Sequence, residues 1–448
     1  MAALFCCLHV MANHRHVQTL KTGWKFTRTD DAAASQTDYD DSQWQSVTVP
    51  HDWAIYGPFD ANNDRQKVAI EQDGQKEALS HAGRTGGLPF VGAGWYRLQF
   101  EAPEFTEGRR ATLLFDGAMS HARVWVNGQE AGYWPYGYNA FYFDITPYMK
   151  AGEVNTLAVR LENYEESSRW YPGAGLYRNV HLIVTDELAV KMWGTYIATP
   201  VVREGFAKVN VQVELDMPKG IDSNTVSVAT DIYTADGTAV AGTVEELTSF
   251  DEGVKTLELV VQQPQLWSPE TPHLYRAVTT IMDGKGATTD VYETTFGIRT
   301  IAVVPDQGFF LNGQRTVFKG TCNHHDNGIV GAASFRSAEE RRVRILKENG
   351  FNAIRTTHNP PSAVLLDVCD RMGMLVIDEL FDAGRLGKRD YDYHIWFDEN
   401  FKNDTALTVK RDRNHPSLFY WVIFNETWGL FHFPVNEDAQ QKVYLRLQ

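Results

Sequence analysis

Only four of the 448 residues are cysteine: Cys6, Cys7, Cys322 and Cys369. Two are adjacent and two stand alone, so neither a disulfide framework nor a zinc-ligand spacing is present. No run of 18 apolar residues occurs, which excludes a membrane-spanning helix and gives no sign of a membrane partner. Positive charge is in deficit: 42 Lys and Arg against 57 Asp and Glu give a net −15. That balance argues against a phosphate-binding or nucleic-acid-binding role and leaves neutral substrates open. The stretch Ala2 to Ala12 is apolar but lacks a basic n-region and a clear cleavage site. Localisation therefore stays open, with a cytoplasmic placement preferred to a secreted or periplasmic one. Aromatic residues, by contrast, are abundant at 12%, with 12 Trp. Such rings are what proteins stack on sugar faces.

Residues 20–187 read as β throughout. Tyr96, Leu98 and Phe100 alternate with Arg97, Gln99 and Glu101, the period of a half-buried strand. Asn127-Gly128 is a hairpin signal, because both residues accept positive φ. Many short strands without a helical stretch predict a jelly-roll sandwich. Residues 188–299 continue in β, with Val209, Val211, Val213 and Leu215 alternating against polar neighbours. About seven strands there fit an immunoglobulin-like sandwich. Residues 1–19 are left as an N-terminal extension of unclear role.

After residue 300 the period changes. Thr316 to Gly320 is a predicted strand, and Ser337 with Glu340 forms a capping box for a helix stopped by Gly350. A strand at Phe351–Arg355, a helix at Ser362–Met372, a strand at Met374–Asp378, a helix over 397–410 and a wholly apolar strand Leu418–Phe424 follow. Apolar strands alternating with amphipathic helices predict a parallel sheet with covered faces. Four βα steps, the last incomplete, over residues 300–448 fit a parallel α/β barrel or an open sheet.

In such sheets chemistry collects at the C-terminal strand ends. Strand one ends in Asn323-His324-His325-Asp326, strand two in Arg355-Thr356-Thr357-His358-Asn359, strand three in Asp378-Glu379 with Asp382 behind, and strand four in Asn425-Glu426. Carboxylates with His and Arg on one rim suit glycoside hydrolysis, metal-assisted hydrolysis or enolisation. His324, His325, Asp378 and Glu379 can also be drawn as a metal site, although no His-x-x-x-His helix accompanies them. Arg355 and His358 have opposite parity on an ideal strand, so both reach one pocket only if the chain bends near Thr357.

Two stretches resemble signatures of glycoside hydrolase family 2. Asp412-Arg413-Asn414-His415-Pro416-Ser417, running through Tyr420-Trp421 to Asn425-Glu426, resembles its acid/base signature. Asn352 to His358, followed by Cys369 to Met374 and Asp378-Glu379, resembles its other barrel signature; Asn359 departs from this second pattern and Val422, after Trp421, from the first. Val49-Pro50-His51-Asp52-Trp53 and Gly94-Trp95-Tyr96-Arg97 look like its N-terminal sugar-binding domain. The resemblance covers residues 20–448 and implies a fold of jelly roll, immunoglobulin-like sandwich and the N-terminal half of a (β/α)8 TIM barrel. It implies a retaining exo-glycosidase of β-galactosidase type, with β-glucuronidase or β-mannosidase as alternatives. In the glucuronidase branch the cation for the sugar carboxylate lies downstream of this chain.

The resemblance makes Glu426 the general acid and then base, and Asn425 the partner of the sugar 2-hydroxyl. Arg355 would orient carboxylates at the floor, and His358, His324 and His325 would contact the sugar. Asp382 and Trp396 would line the pocket. A raised pKa at Glu426 would need a dry wall, to which Leu418–Phe424 is expected to contribute. No cofactor is called for. Sodium or magnesium, bound near the acid/base in some galactosidases of the family, cannot be placed. A β-galactoside or related oligosaccharide is the implied partner, and a homo-oligomer of the full-length enzyme is left open.

Retaining hydrolysis also needs a nucleophilic carboxylate about 5–5.5 Å from the acid. In the family it comes from a later strand. Glu437 is the sole glutamate after Glu426 and reads as a loop or helix-start residue. The barrel segment has roughly 149 residues where a complete barrel takes about 250. The chain is therefore expected to be a fragment that is inactive alone. A non-catalytic carbohydrate-binding remnant is the competing reading.

Overall fold

The computed structural model describes residues 14–69, 74–81, 90–103, 108–248 and 252–426. The signal-peptide question and Glu437 lie outside them.

The jelly roll packs a four-stranded sheet on a six-stranded one. The larger sheet contains β1 (Gly92–Glu101), β2 (Ala122–Val126), β3 (Gln129–Trp134) and β4 (Val154–Asn163). Alternation drives Tyr96, Leu98, Val124, Val126, Leu157 and Val159 into the core between the sheets. Asn127 and Gly128 both take positive φ and join β2 to β3, as their dipeptide predicts. The opposite face is less wet than alternation alone predicts. Arg97 is buried there, pairing with Asp41 and donating to the carbonyls of Ala34 and Gln36. His16–Thr19 is also a strand, antiparallel to the residues around Ile183, so the jelly roll begins before residue 20. Its half-exposed HVQT carries no apolar alternation by which it could be read.

The second unit has seven strands, three in one sheet and four in the other. Its core holds Val209, Val211, Val213 and Leu215 from Phe206–Asp216, which packs with Leu257 of the adjacent strand and with Val228 and Ile281 of the other sheet.

The third unit is a parallel sheet of β5 (Gly320–Asn323), β6 (Ala353–Thr356), β7 (Leu375–Phe381) and β8 (Leu418–Phe424), in that order. Helices α1 (Arg336–Glu348), α2 (Ala363–Met372) and α3 (His394–Asp412) separate them. Ile354 and Val376 pack with Val343, Leu366 and Cys369 of the helices. Ser362 caps α2 by accepting from Leu365 N, and Gly373 ends it in the left-handed region.

Two local expectations are corrected. The first strand starts at Gly320, not Thr316. Before it, the Asn352 side chain bonds Lys319 N and Val317 O in place of a strand ladder. Ser337 does not cap α1, whose N-cap is Phe335. The neighbouring Glu339 turns inward and accepts from Ser334 Oγ and Asn327 Nδ2. The helix entry is set by Ser334 N docking on Tyr177 O of the jelly roll, a contact invisible to a local capping pattern.

Long-range polar contacts lock the units together. Asn414 Oδ1 accepts from Ile197 N and its Nδ2 donates to Thr195 O, while Lys410 and Arg413 pair with Glu214. His415 and Ser417 N both bond Asp370. Arg413 and Asn414 of the 412–417 signature thus seat the barrel on the second sandwich, while His415 and Ser417 tie the signature to α2 within the barrel. Asp52 joins the jelly roll to the barrel. Its buried carboxylate accepts from Ala54 N, Ala174 N, Tyr171 Oη and Ala332 N at 2.6–3.0 Å. Gly331, at φ +62°, is required beside it: a Cβ there would stand 2.3 Å from Asp52 Oδ2.

Candidate active site

The parallel register sets Arg355 beside Ile377, and alternation along β7 then sends Glu379 to the inner face and Asp378 to the helix side. Asp378 lies buried near Asp412, which is itself paired with Arg411. Burial and the Asp412 charge push the Asp378 carboxyl well up. Glu379, fully buried, takes Arg355 Nη2 on Oε1 at 2.8 Å and His358 Nδ1 on Oε2 at 3.0 Å. Both side chains meet on one carboxylate, as the expected bend near Thr357 requires. Glu379 orients the His358 ring and leaves Nε2 for a ligand.

From Arg355 the network runs on across the strand ends. Arg355 Nη2 donates to Asn425 Oδ1 at 3.2 Å, and Asn425 Nδ2 donates to Asp382 Oδ1 at 2.8 Å. The buried Asn425 amide is thereby fixed, with one N–H and one lone pair still available. Asp382 also receives Arg169 twice, at 2.6 and 3.1 Å, and Lys388 Nζ at 2.9 Å. Burial alone would raise the Asp382 carboxyl. The bonds from Arg169 and Asn425 and the charges of Arg169 and Lys388 outweigh it and hold the pKa below 3.8. Arg169 Nη1 lies 3.7 Å from Glu426 Oε2.

His324 stands over this group, its ring 4.9 Å from Trp170 and 5.5 Å from His358. Burial, then the His358 charge, lowers its pKa, and its Nδ1 is buried without a protein partner. Trp170 is also 5.3 Å from His358 and lies under Arg169.

Six of the eight residues expected at the site therefore gather there: Arg355, His358, Asn425 and Asp382 directly, His324 through ring contacts and Glu426 through Arg169. Two are placed elsewhere. His325 sits between Tyr138 and Tyr177 with Nε2 on the Pro172 carbonyl. Burial lowers its pKa to about 3. It seals the junction with the jelly roll, because consecutive residues at a strand end diverge. Trp396 packs on His121 and Tyr164 of the jelly roll at 4.2 and 6.2 Å. It lies near the start of α3, whose face is turned to that domain.

Among the described residues no dry wall stands beside Glu426. Its side chain is 70% exposed, and Tyr420 of β8 is 58% exposed. Among the described strands β8 pairs on one side only, so its apolar residues stay half open. Lys388, Arg169 and Trp170 complete the site beyond the residues named from sequence, and Glu379, named there only at a strand end and in the metal alternative, joins them. Glu379 sits in a quoted motif but beside an equally plausible Asp378. Arg169-Trp170 belongs to a loop of another domain.

The metal alternative fails on geometry: His324, His325, Asp378 and Glu379 point to different surroundings. Among the described residues no three His, Cys, Asp or Glu are grouped to hold a metal.

Family models match the whole of this architecture. "Glycosyl hydrolases family 2, sugar binding domain" matches residues 17–186, "Glycosyl hydrolases family 2" residues 190–299, and "Glycosyl hydrolases family 2, TIM barrel domain" residues 302–442. The chain belongs to glycosyl hydrolases family 2. It is 40% identical to Beta-galactosidase BoGH2A of Bacteroides ovatus, over 94% of this chain and 48% of that protein. It is 35% identical to a putative beta-glucuronidase of Formosa agariphila, over 95% of this chain and 39% of that one. A family 2 glycosyl hydrolase from Bacteroides cellulosilyticus superposes with a TM-score of 0.86 at 37% identity, covering 96% of this chain and 54% of its own. The chain thus spans about half the length of the curated family 2 relatives it matches. As a family 2 chain it carries the jelly roll, the immunoglobulin-like sandwich and part of the TIM barrel.

Proposed function

We propose that these residues form the acid/base side of a retaining β-glycosidase site, with a neutral terminal sugar, β-galactoside, as substrate. The supporting observation is the continuous chain His358–Glu379–Arg355–Asn425–Asp382–Arg169, which ends 3.7 Å from Glu426. In this reading Glu426 protonates the leaving oxygen as the glycosidic bond breaks and a second carboxylate attacks the anomeric carbon. Glu426 then removes a proton from the water that releases the sugar. Asn425 presents its remaining N–H to the 2-hydroxyl. His358 Nε2 and the His324 ring meet other hydroxyls, and Trp170 lies against both histidines.

The cations at these strand ends are already engaged, so none of them is offered to a uronate carboxylate. Arg355, Arg169 and Lys388 face Glu379, Asp382 and Glu426, and each cation is already paired with one of these carboxylates. The nucleophile is not among the described carboxylates near Glu426: Glu379 and Asp382 are held in ion pairs. Turnover therefore requires a further carboxylate.

The test compares aryl β-galactosides with aryl β-glucuronides, in whichever form of the protein turns over, these 448 residues or a longer protein carrying them. Galactosides should be cleaved preferentially. Glu426→Gln should suppress poor leaving groups strongly and activated aryl leaving groups much less, because an activated phenolate needs little protonation. Azide, a nucleophile that needs no base, should restore turnover on the activated substrate. Equal loss on both leaving groups without azide rescue would remove Glu426 from this role, and preference for glucuronides would overturn the substrate.

A further inference from the structure

Asp404, in the middle of α3, is a buried carboxylate whose partners are all neutral. They come from two other parts of the chain. Asn139 Nδ2, on the jelly-roll segment after β3, donates to Oδ1 at 3.1 Å. Tyr393 Oη, at the end of the loop that leads into α3, donates to Oδ2. Asn139 is itself fixed, because Trp134 Nε1 donates to its Oδ1 at 2.9 Å. Tyr136 and Asn139 face the carboxylate from the jelly roll and Tyr393 from the loop; among the described residues no Arg, Lys or His acts on it. Burial raises its pKa, the bonds from Tyr393 and Asn139 pull it back, and the balance is about 7.

The Tyr393 ring links this carboxylate to the strand ends. It lies 4.3 Å from Tyr136 and stacks parallel to Phe381 of β7 at 5.9 Å. Tyr136 Oη donates to Leu380 O at 2.6 Å, between Glu379 and Phe381. Next to Tyr393, Asp392 accepts from Lys388 N and Arg389 N at 2.7 and 2.8 Å, so the backbone of that turn is set from its far end. Lys388 Nζ then reaches Asp382 and the Asn425 carbonyl.

We propose that Asp404 is a positioning residue of the strand-end site: through Tyr393 it holds the loop 385–393, and with it Lys388, against Asp382 and Asn425, and it loosens that hold when it ionises. A buried carboxylate with two neutral donors has no cation to offset its lost hydration, and swinging Tyr393 aside admits water to it. The protonated acid gains nothing comparable from opening. The closed loop therefore binds the proton more tightly than the open one. Its advantage is complete below 3.8, the value in water, and declines as pH rises to about 7, by at most about tenfold per pH unit. The proposal rests on the reading of these strand ends as the site, but its test is made on the loop and needs no turnover, so either can fail alone.

The test measures hydrogen exchange by mass spectrometry in the 448-residue chain at pH 5–8, each rate corrected for the pH dependence of an unprotected amide. In peptides covering 385–393, protection should fall about 10–100-fold from pH 5 to 7 and level off above that. Asp404→Asn keeps an acceptor and the volume but has no proton to lose, and its protection should change less than about threefold over the same range. Tyr393→Phe keeps the ring and removes one bond that stabilises the anion, so the levelling-off should move to higher pH; this variant decides if Asp404→Asn does not fold. Wild-type protection that stays flat across the range, a fall that persists in folded Asp404→Asn, or a levelling-off that Tyr393→Phe leaves in place would each overturn the proposal.

Discussion

Asp382→Asn isolates what the carboxylate at the centre of the site contributes. The carboxylate holds four bonds: two from Arg169, one from Lys388 and one from Asn425. The amide keeps one acceptor oxygen but loses the charge, and its NH2 faces Arg169 Nε, donor against donor. Hydrogen bonds to charged groups contribute about 1.5–3 kcal/mol each. Losing one and weakening three should cost about 2–3 kcal/mol locally, little screened because the Asp382 and Arg169 side chains are only 15% and 22% exposed. The loop is anchored on both sides, at Ser168 O by Gln66 and at Tyr171 by Asp52. The loss should therefore appear at residues 169–170 and not as global unfolding. Hydrogen exchange read by mass spectrometry should show protection there falling about 30–150-fold. The sign with pH follows from the lowered pKa: the contribution is complete above 3.8 and disappears as pH falls through the lower folded value. Variant and wild type should therefore converge in strong acid. A neutral-pH change below about threefold in a folded variant would refute the assignment of these bonds as the tie between loop and rim.

Where turnover is measured, Asn425→Ala should lower kcat and kcat/KM together by about 2–4 kcal/mol, since the 2-hydroxyl contact tightens in the transition state; a change in KM alone would refute that role. His415, buried against Asp370, has its pKa lowered by burial but raised more by the carboxylate, to about 9. Its stabilising contribution is present below the unfolded value of about 6.5 and is lost as pH rises through 9. Melting temperature should drop between pH 7 and 10, and Asp370→Asn should flatten that drop. Asp52→Ala strands three backbone N–H groups and the Tyr171 hydroxyl in a buried site and should destabilise the protein by about 3–5 kcal/mol. Calorimetry showing no loss would mean that water replaces the carboxylate.

How far this site could be read beforehand follows from the physics of each residue. Local period carried the strand ends, so Arg355, His358, Asn425 and Glu426 were legible, and parity even required the bend at Thr357. Parity could not say which of Asp378 and Glu379 faces inward, because that depends on register with β6. Arg169 and Trp170 reach the rim from 213 residues away in sequence, a distance no local pattern spans. Ser337 satisfied a capping pattern but lost to the docking of Ser334 on Tyr177, and Trp396 went to the jelly roll because α3 faces it. The apolar run Leu418–Phe424 was read correctly as a strand, and the described residues leave it half open. Composition reports what a strand can bury, and only its neighbours decide what it does bury.

Asp52 and Ala332 are 280 residues apart, and their bond has a consequence for synthesis on the ribosome. At about 5–20 residues per second, the partner emerges roughly 14–56 s after the carboxylate. Throughout that interval the nascent jelly roll holds a polar group that lacks its last donor, on a surface meant to be covered. Water must occupy the place, and the domain stays one contact short of its final form. Pausing or early release before residue 332 would leave that surface open to chaperones and proteases, so the end of translation for this domain is set by the barrel and not by its own last strand.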